Sequence, residues 1–369
     1  MKVPFVDLKL QYQTYKTEID KAISDVISET AFIGGSGNKY VQQFEYEFAA
    51  YLGLKNVITC ANGTDSLEIL LEAYGIGDGD EVIVPALSWI SSSEAVGRSG
   101  AKPVFVDICE DTLLLNPDLI ETKINKNTKA IMPVHLYGNP VNMEPIMQLA
   151  AKHNLIVIED CAQSHGAMIN GKLSGTFGHA SSFSFYPGKN LGAYGDAGAI
   201  ATNDDHIAAK CRMIANHGQL KKHNHIMEGR NSRMDGIQAA ILTVKLKYLN
   251  FWNEKRNQCA RYYLSNLDSN KIKLPVITNN SYHVFHLFVI QVNSRENFKQ
   301  FLQEHEIETA IHYPMPLPFL NPYSRFNHVI EDFPIAYNLS KNIISLPIYP
   351  ELSLDKINYV VNTVNSYLK

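Results

Sequence analysis

Lys189 is the residue of this sequence whose surroundings first suggest chemistry. It follows the aromatic, strand-like run SFSFY at 182–186 and lies among glycines at positions 188, 192, 195 and 198. A lysine in such a loop binds phosphate, acts as a nucleophile or is simply solvated. The phosphate-binding loop of nucleoside triphosphatases requires G-x-x-x-x-G-K-[ST], and it is missing here, because Phe183 stands five residues before Gly188 and Asn190 follows the lysine.

A second nucleotide-binding pattern is also missing. The dinucleotide fingerprint G-x-G-x-x-G must follow an early strand and open a helix, whereas GIGDGD at 75–80 follows a helical segment and precedes a strand-like one. A third option for Lys189 is a Schiff base with pyridoxal 5′-phosphate. That cofactor requires an amine for its aldehyde, a carboxylate for its ring nitrogen, amides and hydroxyls for its phosphate, and an aromatic cover for its ring.

Each of these requirements has a candidate at a predicted strand end or helix start. Asp160 ends the run LIVIED and could keep the ring nitrogen protonated, and Gln163 could reach the ring hydroxyl. The other candidates are Gly63, Thr64 and Ser184 for the phosphate, and Trp89 for the ring. Singly they are unspecific, since an acidic residue at a strand end often caps a following helix and a tryptophan is more often core.

The elements that must position these residues follow from the hydrophobic pattern. Apolar runs rich in β-branched residues alternate with helical segments, which predicts an α/β fold with a mainly parallel sheet covered on both faces. The runs are NVITC (56–60), EVIVP (81–85), PVFVD (103–107), AIMPV (130–134), LIVIED (155–160), SFSFY (182–186) and GAIAT (198–202). Ligands of such sheets bind beyond the carboxyl ends of the strands, so we expect one shared cleft there. The pattern changes near residue 250, which predicts a large domain at 1–250 and a smaller α+β domain at 251–369.

Composition excludes several classes of protein. The 369 residues carry a net charge of −4, and the 33 lysines and arginines are spread along the chain, which disfavours nucleic acid as a partner. We find neither a secretory signal pattern nor an apolar run long enough to span a membrane, and five scattered cysteines without C-x-x-C are typical of the cytoplasm. The histidines at 217, 223 and 225 lack the spacing of a zinc site, so we expect no metal.

Eight blocks, in order along nearly the whole chain, closely resemble the DegT family of nucleotide-sugar aminotransferases. They are CANGTDSL, GDEVIVPALSW, AKPVFVDI, TKAIMPVHLYGNP, VIEDCAQSHGA, FSFYPGKNLGAYGDAGAI, NHG and NSRMDGIQAAIL. Members of this family are fold-type I pyridoxal-phosphate enzymes and commonly use L-glutamate as amino donor. The resemblance implies transamination, because a dehydratase branch has histidine where this chain has Lys189.

Site roles also follow from the resemblance. It assigns the cofactor-bonding and proton-shuttling lysine to Lys189, and it assigns cofactor contacts to Gly63, Thr64, Trp89, Asp160, Gln163 and Ser184. It further implies that Asn231, in the NSR block, reaches the phosphate of the neighbouring subunit. The implied assembly is a homodimer with shared active sites.

The substrate is predicted less closely than the reaction. IHYPMPLPFLNPY at 311–323 resembles a segment found mainly in members that aminate carbon 3 of a keto sugar, which would put His312 and Tyr313 near a nucleotide-linked deoxy-keto-hexose. Amination at carbon 4 of a 4-keto-6-deoxyhexose is the close alternative. The nucleotide (dTDP, UDP or GDP) and the pathway, lipopolysaccharide O-antigen synthesis among others, stay open.

Three further residues are weaker substrate candidates. Tyr186 and His165 border the predicted cleft, although both types are about as often satisfied by structure alone. Lys221, with its neighbour Lys222, lies in a basic loop that could receive a diphosphate. A non-catalytic regulator that binds pyridoxal phosphate or a sugar nucleotide is the alternative from another class of function, since a fold does not fix an activity.

Overall fold

The computed structural model describes residues 1–35, 37–278 and 280–368. Within these residues the α-helices are α1 Leu8–Ser28, α2 Lys39–Leu52, α3 Gly63–Ala73, α4 Ser91–Arg98, α5 Met143–His153, α6 Asp205–Ile214, α7 Gly236–Leu246, α8 Leu249–Asn266, α9 Arg295–Glu304, α10 Pro334–Asn342 and α11 Leu354–Tyr367. The strands are β1 Asn56–Cys60, β2 Glu81–Pro85, β3 Lys102–Val106, β4 Thr128–Ile131, β5 Ile156–Asp160, β6 Met168–Ile169, β7 Lys172–Leu173, β8 Ala180–Ser184, β9 Gly198–Thr202, β10 Ser281–Tyr282, β11 Phe288–Gln291 and β12 Ile343–Leu346.

Seven of these strands form the main sheet, in the order β1-β9-β8-β5-β4-β2-β3. The pairs β3/β2, β2/β4, β4/β5 and β5/β8 are parallel, and β9 runs antiparallel to both of its neighbours. The predicted mostly parallel, seven-stranded sheet is therefore confirmed. Since β1, β5 and β8 run in the same direction, the residues that follow them meet at one edge of the sheet.

The register brings two of these strand ends very close together. Gly198, the first residue of β9, lies opposite Cys60 at the end of β1 and opposite Ser184 at the end of β8. A single residue of β9 thus lies between the end of β1, which leads into α3, and the end of β8, which leads into the glycine loop that joins β8 to β9. A glycine is required there, because a Cβ on residue 198 would lie 2.3 Å from the Asn62 carbonyl oxygen.

The core lies on both faces of the sheet. All five residues of β2 are buried, as expected for a parallel strand covered on each side by helices. Beneath the glycine loop, Phe44 and Phe48 of α2 pack edge to face against Phe185. This aromatic cluster gives the loop that follows β8 a rigid floor.

A second core belongs mostly to the C-terminal part of the chain. It is built on the antiparallel pair β11/β12 and on α8, α9 and α11, and it includes Val3 from the start of the chain. The division near residue 250 stays a prediction. No helix in the described part of the chain is long and apolar enough to cross a membrane.

Candidate active site

A cavity of about 870 Å³ opens at the carboxyl edge of the main sheet. Residues from several strand ends and from the C-terminal part of the chain form its wall. It brings together these predicted site residues: Gly63, Thr64, Trp89, Asp160, Gln163, Ser184, Tyr186, Lys189, His312 and Tyr313. The expected convergence of strand ends on one cleft is therefore observed, and the roles of these residues stay predictions.

Lys189 lies in a loop that turns back on β8. Its N–H donates to the Tyr186 carbonyl at 2.8 Å, and the Ala193 N–H donates to the Phe185 carbonyl at 2.8 Å. Burial lowers the pKa of the Lys189 amine to about 8, an effect that the negative charge of Asp160 opposes. A substantial fraction of this amine is therefore neutral near pH 8, and a neutral amine is the form that attacks a carbonyl carbon.

Asp160 ends β5 with its carboxylate buried in the cavity wall. Oδ2 accepts a hydrogen bond from Ser92 Oγ at 2.9 Å, and Oδ1 accepts one from the Ala162 N–H at 3.1 Å. Burial raises the pKa of Asp160, whereas these two hydrogen bonds and the charge of Lys189 oppose that rise. The two donors hold the carboxylate in place and favour its ionised form.

Gln163 links two parts of the wall. Its Oε1 accepts from the Tyr137 N–H at 2.6 Å, and its Nε2 donates to the Tyr313 hydroxyl at 3.1 Å. The Tyr313 ring lies 5.6 Å from the Trp89 ring, at an interplanar angle of 42°. Tyr137 also donates through its hydroxyl to the His312 carbonyl. The two aromatic rings therefore form one side of the cavity, anchored through Gln163.

The start of α3 forms a second wall. Asn62 caps the helix by accepting a hydrogen bond from the Asp65 N–H at 2.8 Å, and Thr64 Oγ1 lies 2.8 Å from Ser91 Oγ. A Cβ on Gly63 would lie 2.5 Å from the Ser184 Cβ, so helix and loop are in direct contact. The first-turn amides of this 11-residue helix thus lie beside the hydroxyl groups of Thr64, Ser91 and Ser184 in the cavity wall. This arrangement suits an anion such as phosphate.

Comparison with known proteins places this geometry in a family. The model of the DegT/DnrJ/EryC1/StrS aminotransferase family matches residues 13–365. The chain belongs to that family. It is therefore a pyridoxal-phosphate-dependent transaminase.

Relatives of this aminotransferase match along their whole lengths. The dTDP-3-amino-3,6-dideoxy-alpha-D-galactopyranose transaminase of Aneurinibacillus thermoaerophilus is 46% identical over 365 residues, with 99% of each chain covered. A protein of Geobacillus stearothermophilus named a pleiotropic regulatory protein is 41% identical, covering 100% of this chain and 99% of that one. The crystal structure of S. venezuelae DesV in complex with a ketimine intermediate superposes with a TM-score of 0.97 at 39% identity and covers 100% of this chain and 99% of that one.

The residues of this aminotransferase fit pyridoxal phosphate. One cavity is surrounded by the buried amine of Lys189, the buried carboxylate of Asp160 and the hydroxyl-lined N-terminus of α3. Gly63 has no side chain, which allows the first turn of α3 to lie directly against Ser184. The groups that line the cavity are therefore those that pyridoxal phosphate requires.

His165 is not where the sequence suggested. Its side chain is 1% exposed, it is not part of the cavity wall, and its ring lies 5.7 Å from Phe183 and 5.5 Å from Phe185. The expectation that it borders the cleft needs correction, because the chain turns inward after Gln163 and packs the imidazole into the core. Tyr186, by contrast, lies at the cavity mouth with 60% of its surface exposed.

Asn231 and Lys221 lie outside the cavity of their own chain. Both are exposed and belong to the segment between α6 and α7, where Asn231 forms an isolated β-bridge with Asn216. Neither residue lines the cavity. Their predicted roles therefore require a second subunit.

Among the wall residues that the sequence reasoning missed, two come from the C-terminal part of the chain. His286 and Arg256 both line the cavity, and both come from the part of the chain beyond residue 250. The Arg256 guanidinium donates to the main-chain carbonyls of Phe285, His286 and Ile348 at 2.8–3.4 Å. The run SYHVFHLF was a signal for His286, but nothing in it distinguishes a cavity residue from a core one.

A buried group of His135, Glu159 and Cys161 has side chains of metal-binding type. The possible metal-ligand atoms of His135 and Glu159 already form hydrogen bonds within the protein, however. His135 Nδ1 accepts from the Val141 N–H at 2.9 Å, and its Nε2 lies 2.9 Å from Glu159 Oε2. Glu159 also accepts three main-chain N–H bonds at 2.6–2.8 Å. We therefore interpret this group as a hydrogen-bond network that supports β5 directly behind Asp160.

Proposed function

We propose that this aminotransferase moves the amino group of L-glutamate to carbon 3 of a nucleotide-linked deoxy-keto-hexose. The observation that carries the proposal is the position of His312 and Tyr313, which lie in the same cavity wall as Lys189. They belong to the segment that resembles 3-aminating members. The name of the Aneurinibacillus relative, a dTDP-3-amino-3,6-dideoxy-alpha-D-galactopyranose transaminase, supports amination at carbon 3.

The residues of the cavity divide the chemistry among them. Pyridoxal phosphate, when bound, supplies an electron sink for the carbon that loses or gains a proton. Lys189 Nζ takes that proton and returns it, since an amine with a pKa of about 8 exchanges protons readily near neutral pH. Asp160, held by Ser92 and the Ala162 amide, would hold the ring nitrogen in its protonated form. Trp89 and Tyr313, whose rings lie 5.6 Å apart in the cavity wall, would cover the cofactor ring.

The active site is proposed to be completed by a second copy of the chain. Asn231 would reach the phosphate of the neighbouring subunit, and Lys221 with Lys222 would receive the diphosphate of the nucleotide. All three are exposed on the same segment, which leaves them available to a partner. We place the reaction in the cytoplasm, in the synthesis of a deoxyamino sugar such as one of lipopolysaccharide O-antigen, with dTDP, UDP or GDP as the nucleotide.

The first test is a visible spectrum of the holoenzyme before and after L-glutamate, followed by keto-sugar nucleotides. Wild type is expected to lose the absorption band of the lysine-bound cofactor on adding glutamate, and Lys189→Ala is expected to lack that band. NMR of the product then distinguishes carbon 3 from carbon 4. A holoenzyme whose cofactor band changes neither with L-glutamate nor with any amino sugar nucleotide would instead favour the non-catalytic regulator.

The diphosphate assignment has its own test. Replacing Lys221 and Lys222 together by alanine is expected to raise KM for the nucleotide sugar and to leave kcat nearly unchanged. The matched control replaces Lys126 and Lys129, two exposed lysines elsewhere, and so removes the same charge. Equal KM values for the two double variants would show that the segment does not bind the nucleotide.

A further inference from the structure

Asn190, the residue after Lys189, has a fixed side-chain orientation. Its Nδ2 donates to the Val284 carbonyl at 3.0 Å and to Asn253 Oδ1 at 2.9 Å. A main-chain carbonyl only accepts hydrogen bonds, so the amide nitrogen must face Val284. The amide oxygen of Asn190 therefore points the other way.

That oxygen determines the tautomer of His286. Asn190 Oδ1 lies 3.1 Å from His286 Nδ1, and an oxygen acceptor requires that this nitrogen carry the proton. Burial, together with the positive charges of Lys189 and Arg256, lowers the pKa of His286 well below its usual range. The imidazole is thus neutral, and Nε2 carries a free lone pair.

The Nε2 atom is available to a ligand. His286 is part of the cavity wall, and in the described ranges 1–35, 37–278 and 280–368 no side chain or amide donates to Nε2. Lys189 and His312 are close enough to influence its titration electrostatically. A hydrogen-bond acceptor of fixed orientation therefore lies in the cavity near the reacting amine.

We propose that His286 Nε2 accepts a hydrogen bond from a hydroxyl of the hexose, on a carbon next to the one that is aminated. This assignment rests on the proposed function. L-glutamate is a poor match for this lone pair, because its two carboxylates are acceptors and its amino group is the group transferred. A hexose carries neutral hydroxyl donors on both sides of its keto carbon. His286 is thus a residue that orients the sugar and determines specificity.

The test compares two half-reactions of the holoenzyme by stopped-flow absorbance, one with L-glutamate and the other, in reverse, with dTDP-3-amino-3,6-dideoxygalactose. The variants are His286→Leu, which has no acceptor, and His286→Gln, whose amide oxygen can replace Nε2. For His286→Leu we expect kcat/KM with the amino sugar to fall about tenfold, the typical effect of one lost hydrogen bond. The glutamate half-reaction should slow much less than the amino-sugar half-reaction, the resting spectrum should keep the band of the bound cofactor, and His286→Gln should recover part of the loss.

Three results would overturn the assignment. If both half-reactions slow equally, His286 acts by positioning the Lys189 loop. If neither slows, Nε2 contacts no substrate hydroxyl. If wild type accepts no 3-amino sugar linked to dTDP, UDP or GDP, the proposed function fails first, and the His286 assignment fails with it before any variant is compared. A normal spectrum for His286→Leu shows that the variant folds and binds its cofactor.

Discussion

Replacing Gly63 by alanine tests whether contact between α3 and the glycine loop builds the cofactor site. The new Cβ would lie 2.5 Å from the Ser184 Cβ and 3.1 Å from its Cα. Carbon atoms in contact prefer about 3.5–4.0 Å, so helix and loop must separate by roughly 1 Å. Ser184 cannot retreat easily, because it is paired with Gly198 in the β8/β9 ladder.

Overpacking of this kind costs about 1–3 kcal/mol in the free energy of unfolding. We expect Gly63→Ala to lose about that much in urea denaturation of the cofactor-free protein, measured at one fixed protein concentration. The shift also moves the first-turn amides away from Ser184, so the dissociation constant of pyridoxal phosphate should rise. Both measurements use the same preparation.

Gly97→Ala is the matched control. Gly97 lies within α4, and no atom would lie within 4 Å of a Cβ there, so alanine should raise stability by up to about 1 kcal/mol through helix propensity. If Gly63→Ala matched wild type in both stability and cofactor affinity, the close contact would not matter to the site. The argument for a cradle shared by α3 and Ser184 would then be refuted.

Three other predictions follow from buried charges. The rate at which pyridoxal phosphate binds covalently to cofactor-free protein should rise with pH through about 8, the pKa of Lys189. Asp160→Asn should shift that midpoint to lower pH, because the carboxylate raises the pKa of Lys189. Stopped-flow absorbance measures the rate, and an unshifted midpoint would contradict the pairing of Lys189 with Asp160. Burial lowers the pKa of Lys245 to about 7, so between pH 7 and 9 the unfolded chain binds more protons than the folded one and the free energy of unfolding should rise with pH. In urea denaturation at pH 7 and pH 9, Lys245→Met should show a smaller rise than wild type. An equal rise in the two proteins would exclude the lowered pKa of Lys245. Glu159→Ala leaves one buried and two partly buried main-chain amides without an acceptor, and it should lower the free energy of unfolding by about 3 kcal/mol. Glu159→Gln should cost less, and equal stability of the two variants in urea denaturation would argue against the network.

The strands show how far pattern alone reaches. NVITC, EVIVP and GAIAT coincide with β1, β2 and β9, because each is a short β-branched run bounded by turn residues. SFSFY was predicted two residues too late: β8 is Ala180–Ser184, and Phe185 and Tyr186 already belong to the turn. Apolar alternation continues through that turn because the aromatic cluster beneath it buries the same face.

The site residues show which features the sequence pattern alone does not predict. Asp160 ends β5 and Lys189 follows β8, and both line the expected cleft because parallel strands share one edge. His283 and His286 stand three apart in one run, yet the first ring is buried and stacks on Phe285 with centroids 3.9 Å apart, whereas the second lines the cavity. Only the path of the C-terminal chain over the cleft separates these two roles, and that path is a matter of tertiary packing.

The position of β1 at the edge of the sheet has a consequence for synthesis on the ribosome. Its neighbour in the sheet is β9, so the chain must be made as far as Thr202 before β1 has a strand beside it. Long-range pairing of this kind is slow and leaves strands exposed meanwhile. The cavity wall includes Tyr313 as well as Lys189, so the vitamin-derived cofactor meets its complete site only after most of the chain has been made.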